Sequence, residues 1–200
     1  MSTAEWFALL TLCTAASFTP GPNTTLSTSM AAGHGLRATL PFIFGVSAGW
    51  SVLLVLSVTG ASGVLLEHPV MRPVLVIACV CYLLWLAQRI YRSATIQIAH
   101  AVQPIGFKGG VALQFLNIKA WFLAMTISSG WLIGHADIVA RGLAVWPVVA
   151  AFAFSSNFTY AMVGASLQKF LQTGSRLRVF NTVMSLTLAI LAVWLGVTQL

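Results

Sequence analysis

The chain has 200 residues, of which 58% are apolar and 6% charged, and its mean hydropathy is +0.92. A water-soluble domain carries about 25% charged residues, and three acids with ten bases cannot cover a soluble body of this size. A soluble enzyme, a disordered tail and a secreted disulfide scaffold are thereby excluded, and a multi-pass membrane protein remains, with about six or seven spans at about 20 residues each. The net charge of +7 does not point to nucleic acid, because the bases lie scattered between apolar runs and no nucleic-acid motif is present.

Six apolar segments follow one another, at residues 4–32, 40–66, 70–92, 107–134, 142–167 and 179–200. The first has no basic n-region, only Glu5, and continues through Pro20, Gly21 and Pro22, so it reads as a retained span and not a cleaved signal peptide. The longest link, 93–106, carries Gln97, His100, Gln103 and Pro104. Seven bases, Arg37, Arg89, Arg92, Lys108, Lys169, Arg176 and Arg178, fall in links on one side, against Arg72 and Arg141 with all three acids on the other. The positive-inside rule then places both termini outside the cytoplasm. Trp6, Trp131, Trp146 and Trp194 lie near the outer ends of their segments, as an interfacial aromatic belt requires.

The fold expected is all-α and integral to the membrane, one transmembrane domain over residues 1–200 with six helices. The run Tyr82-Leu83-Leu84-Trp85-Leu86-Ala87-Gln88 is similar to Ala192-Val193-Trp194-Leu195-Gly196, and the first and fourth segments are both long and interrupted by polar residues. A duplicated unit of three spans must be inverted, which gives two three-helix repeats at about 1–95 and 105–200 with interrupted first and fourth helices, a transporter architecture.

Cys13, Cys79 and Cys81 lie in apolar runs without metal or redox spacing, and read as small buried residues. His34, His68, His100 and His135 fall in links on both sides and form no metal site. No cofactor is implied. Gly45 and Gly49, four apart, allow close helix approach, within the chain or in a homo-oligomer.

Two places carry chemistry. In the first segment Thr19-Pro20-Gly21-Pro22-Asn23-Thr24-Thr25 contains two prolines around a glycine, and this breaks a helix. In lipid such a break is tolerated only against protein or a wet cavity. Asn23, Thr24 and Thr25 then begin a half-helix whose N–H groups suit a carboxylate. In the fourth segment Gln114-Phe115-Leu116-Asn117-Ile118-Lys119 places a lysine at mid-membrane, at a cost of about 2.5–3.5 kcal/mol. Lys119 and Pro20 each lie twelve residues from the cytoplasmic end of their segment, so they share one depth, where no acid is present. The lysine is then deprotonated, bonded to carbonyls freed by the break, or paired with a mobile anion. Ser155, Ser156, Asn157 and Tyr160 form a polar cluster in segment five, and Asn157 either lines the same cavity or ties two helices together.

These stretches, with Gly33-His34-Gly35-Leu36-Arg37 and the spaced pair Gly45 and Gly49, resemble the LysE/RhtB family of amino-acid exporters, over nearly the whole chain. Most members have asparagine-proline-lysine where this chain has Asn117-Ile118-Lys119, a form similar to the branch of cysteine and O-acetylserine exporters. Ile118 leaves open whether the fourth segment is broken. The resemblance implies six spans in a bacterial inner membrane and proton-coupled efflux.

The function expected is secondary-active export of a small neutral amino acid or derivative, of the cysteine, O-acetylserine, threonine, homoserine or leucine class. Thr19, Pro20, Gly21, Pro22, Asn23, Thr24, Asn117, Lys119 and Asn157 are the expected substrate-binding residues. The partners are the substrate, the proton gradient and the lipid bilayer. The alternatives are a non-transporting membrane subunit and an intramembrane enzyme, which would have only Lys119 and a serine to work with.

Overall fold

A computed structural model describes residues 1–60, 67–92, 104–171 and 175–199, and the described residues form helices without strands. In chain order these are α1 (Thr3–Phe18), α2 (Pro22–His34), α3 (Leu36–Val58), α4 (Met71–Arg92), α5 (Phe107–Phe115), α6 (Ile118–Ile127) with a π-helical turn after it (Ser128–Leu132), α7 (Ile138–Leu171) and α8 (Arg176–Gln199). The end of segment two, residues 61–66, and most of the link holding Gln97, His100 and Gln103 lie outside the described residues.

Four helices are long and apolar enough to cross a membrane, and the α5–α6 pair, bent by 72°, makes a fifth span if taken together. At 16 residues α1 is about 24 Å long, short of a hydrocarbon core of about 30 Å. It needs α2 to complete a crossing.

The first segment is divided as its prolines require. Thr19 is extended at φ −71°, ψ 128°, and Pro22 takes the first position of α2, where its missing N–H costs nothing. The fourth segment breaks without a proline. The amides of Leu116 and Asn117 turn back to the carbonyls of Leu113 and Gln114 at 3.2 Å, a tightened end to α5, and Asn117 is extended before α6 begins. Between α2 and α3 the chain reverses at a single residue, Gly35, with φ 84°, a conformation that glycine adopts without strain.

The surface has the polarity of a body dissolved in hydrocarbon. Val197, Phe7 and Val139 are 80%, 74% and 73% exposed, whereas Ser27 and Gln114 are fully buried. Apolar side chains outward and amides inward invert the soluble pattern. Inside, α2 packs on α7, α3 packs on both α5 and α7, and α4 pairs with α8. Leu26, Phe42, Ile43, Val46, Leu53 and Leu113 fill the centre.

Glycines set how near these helices come. A Cβ at Gly45 would stand 2.1 Å from the Phe107 carbonyl oxygen, one at Gly110 2.4 Å from that of Phe42, and one at Gly164 2.2 Å from that of Thr28. Gly49 meets Val111 in the same α3–α5 seam. The face of Gly45 and Gly49, read as a possible contact with a second copy, is therefore taken by α5 of the same chain; the sequence correctly marked the close approach but not its partner. A second correction concerns the cysteines: Cys13 and Cys79 are buried, but Cys81 faces outward.

Where α1 begins, Arg141 holds Glu5 at 2.7 Å and Asp137 at 3.0 Å, and the Trp131 indole donates to the Glu5 carbonyl at 3.0 Å. The start of α7 is thereby tied to the start of α1 and to the π-helical turn.

Gly164→Ala should lower stability by about 1–3 kcal/mol in thermal melts of detergent-solubilised protein, because a methyl there meets backbone. Gly33→Ala, where nothing lies within 4 Å, should leave the melt unchanged or raise it. The Arg141 guanidinium beside Asp137 holds its carboxyl below the usual carboxylate range. That stabilisation is complete above the ordinary value of about 3.9 and disappears as pH falls through the lowered one. Melts recorded from pH 7 to pH 3 should therefore lose stability at the acid end, less steeply for Asp137→Asn.

Candidate functional site

The two breaks lie against one another. The Lys119 Nζ donates to the Thr19 carbonyl at 3.3 Å, and a Cβ added to Gly21 would stand 3.8 Å from the same ammonium. The shared depth read from the sequence thus becomes contact. Lys119 is half-buried, and among the described residues it has no carboxylate partner, since both ion pairs belong to Arg141. Of the three readings left open for this lysine, a bond to a freed carbonyl is present, but it uses only one of three N–H donors.

Each broken end has its own provision. The Tyr160 hydroxyl donates to the Phe18 carbonyl at 2.9 Å, and the Trp121 indole donates to the Phe115 carbonyl at 3.0 Å. The Thr24 hydroxyl accepts from the Gly21 amide at 2.9 Å and donates to the Gly21 carbonyl at 3.0 Å. The amides of Asn23 and Lys119 lie in the first turns of α2 and α6, where a helix offers no internal acceptor.

Beside Lys119 is a cavity of about 50 Å³. Thr19, Gly21, Pro22, Asn23, Thr24, Asn117, Lys119 and Asn157 all border it, which gathers eight of the nine residues singled out from the sequence. Pro20 instead borders a second cavity of about 70 Å³ on the other side of Lys119. Two placements differ from the sequence reading in detail. The Thr19 hydroxyl turns back to the Ala15 carbonyl, so the residue offers its own carbonyl to the lysine. Asn157 both lines the cavity and ties helices, accepting from the Ser27 hydroxyl at 3.1 Å. Of the polar cluster on α7, Ser156 joins the lining, Ser155 faces outward and Tyr160 serves the break.

Sequence reasoning missed Gln114. It is fully buried and exchanges two hydrogen bonds with Asn23, at 3.0 and 3.2 Å, which clasps α5 to α2 directly beneath the breaks. A glutamine in an apolar run, five residues before the lysine, was the available signal. Asn117 is only 5% exposed, and its side-chain amide has no hydrogen-bond partner among the described residues. It borders the cavity. Among the described residues no three His, Cys, Asp or Glu side chains gather as a metal site.

Comparison with known proteins agrees with this geometry. Residues 14–199 match the family of LysE type translocators. The chain is similar to the cysteine/O-acetylserine efflux proteins of Escherichia coli (strain K12), Shigella sonnei (strain Ss046) and Shigella flexneri, at 30% identity over 188 residues, 94% of each chain. No solved structure matches. The match runs through both breaks and every helix that shapes the cavity: this is a membrane transporter and not an enzyme, and the chain belongs to the LysE family of translocators.

Proposed function

We propose that this protein exports a small neutral amino acid or derivative from the cytoplasm across a bacterial inner membrane, driven by the proton gradient. The observation that carries the reading is Lys119, a half-buried cation without a carboxylate partner, at the point where two helices begin side by side. A carboxylate there would pair with the ammonium and with the first amides of α2 and α6, in a medium where such bonds are strong. Thr19, Asn23, Asn117 and Asn157 offer carbonyl and amide groups to the substrate ammonium. Among the described residues no acid borders the cavity to balance a cationic side chain, so neutral solutes are favoured over lysine or arginine. The named relatives, cysteine/O-acetylserine efflux proteins, point to the same class.

The architecture proposed is one domain of six crossings in two inverted repeats, about 1–95 and 105–200. α1 with α2, and α5 with α6, are the interrupted first helices of the two repeats, and this correspondence supports the duplication. The loop charges support placing both termini outside the cytoplasm. Lys119 is also proposed to carry the exchanged proton, held while a carboxylate is bound and released when it leaves.

Efflux from cells loaded with a panel of amino acids tests the export reading. Wild type should release one or more neutral members, and Lys119→Met at matched expression should fall at least tenfold, the scale of a charge-assisted hydrogen bond of about 1.5–3 kcal/mol. Normal efflux by the variant would remove the lysine from the mechanism. In vesicles with an imposed pH gradient, Lys119→Gln should lose the response to that gradient, and full pH-driven export by this variant would exclude its proton role.

A further inference from the structure

We propose that the second cavity, between the broken first segment and the α4–α8 pair, is the subsite for the substrate's side chain, and that it selects small α-amino acids with uncharged, largely apolar side chains. The inference rests on the export reading and adds the determinants of selectivity.

The two cavities meet at one wall. Gly21, Pro22, Asn117 and Lys119 border both of them. Away from that wall their chemistry diverges. The first carries the hydroxyls and amides of Ser17, Asn23, Ser156 and Asn157 among apolar neighbours such as Val46, Trp50 and Leu123. The second is bounded by Cys79 and Leu83 of α4, Leu191 and Leu195 of α8, and Ile118. An α-amino acid has the same division about its Cα, with a carboxylate, an ammonium and a side chain pointing three ways. A carboxylate placed at the common wall meets Lys119 and the start of α6. The ammonium then falls among the hydroxyls and amides, and the side chain among the leucines.

Asn117 supports this placement independently. It is the residue before the first turn of α6, its side chain does not cap that helix, and it borders both cavities. Gly21 is the matching feature opposite. A Cβ there would already lie in van der Waals contact with Nζ, at 3.8 Å, and Gly21 borders both cavities.

Size and polarity set the class of solute. A volume of about 70 Å³ corresponds to about five to seven water-sized groups at 10–15 Å³ each. Aliphatic, thiol and short ester side chains fit, and the seven non-hydrogen atoms of a phenylalanine side chain lie at its upper limit. A cationic side chain would be stripped of water among leucines, with no acid among the described residues of the lining to pair with, a cost far above the gain from contact. Cys79, buried and two residues from the outward-facing Cys81, thereby acquires a role as a small wall residue whose size sets the depth of the subsite.

The test uses the full-length protein in proteoliposomes, with labelled alanine, leucine and phenylalanine as probes. Cys79→Phe fills the subsite and should lower the leucine-to-alanine rate ratio at least tenfold. Leu83→Ala enlarges it and should raise the phenylalanine-to-leucine ratio at least tenfold, since each methylene in an apolar pocket discriminates by about 10–200-fold. Misfolding lowers all rates by one factor and cannot move the two ratios in opposite directions. If a variant transports nothing, ligand-induced shifts in its melting temperature with the same probes read the same ratios in detergent. Unchanged ratios in both variants, as expected of a crevice filled by acyl chains, would overturn the subsite while leaving the export reading in place. Wild-type liposomes that move none of these or any other amino acid would overturn both.

Discussion

Every peptide group inside a membrane must find its hydrogen-bond partner within the protein, and this chain interrupts two of its apolar helical segments. The rest of the site follows from how the interruptions are paid for. Tyr160 reaches from α7 to the last carbonyl of α1, and Trp121 reaches back from α6 to α5. Lys119 crosses from one break to the other. What these residues leave unsatisfied, the first amides of α2 and α6 with the remaining donors of one ammonium, is all of one sign. Groups of that sign favour an anion on physical grounds alone.

The bundle around this cavity has two kinds of contact. The helices α2, α3, α5 and α7 approach through glycine and are joined at intervals by buried polar pairs, Asn23 with Gln114 and Ser27 with Asn157. The α4–α8 pair is closely packed within itself and meets the remainder through fewer residues, leaving the apolar cavity between. Polar pairs specify which helices meet, because an amide mispaired in hydrocarbon costs more than a displaced methyl. The glycine seams then fix the distance.

Much of this was legible in the chain itself. The prolines at 20 and 22 announce a break by removing donors, and a lysine far from either headgroup layer announces a cavity, because neither is stable in plain lipid. The second break was less legible. Ile118 carries no local signal, and α5 ends through backbone turns that no side-chain type dictates. Gln114 was passed over since its meaning depends on Asn23, ninety-one residues away. Cys79 and Leu83 look like any lipid-span residues until α8 is placed beside them, and helix pairing is a tertiary fact that a hydropathy pattern does not encode. For the same reason Gly45 and Gly49 advertised a close neighbour without naming α5.

The seam between α3 and α5 differs from the other contacts of the core. Glycine backbone lies directly on backbone at Gly45, Gly49 and Gly110, and among the described residues no side-chain hydrogen bond bridges these two helices. Two smooth, bare surfaces of this kind hold together by dispersion alone, which is short-ranged and without directional preference. They can slide or hinge past one another without stranding a single donor. α5 is therefore mounted on a dry bearing, latched at its far end by the amide of Gln114 to α2 and by the Trp121 indole at its last carbonyl.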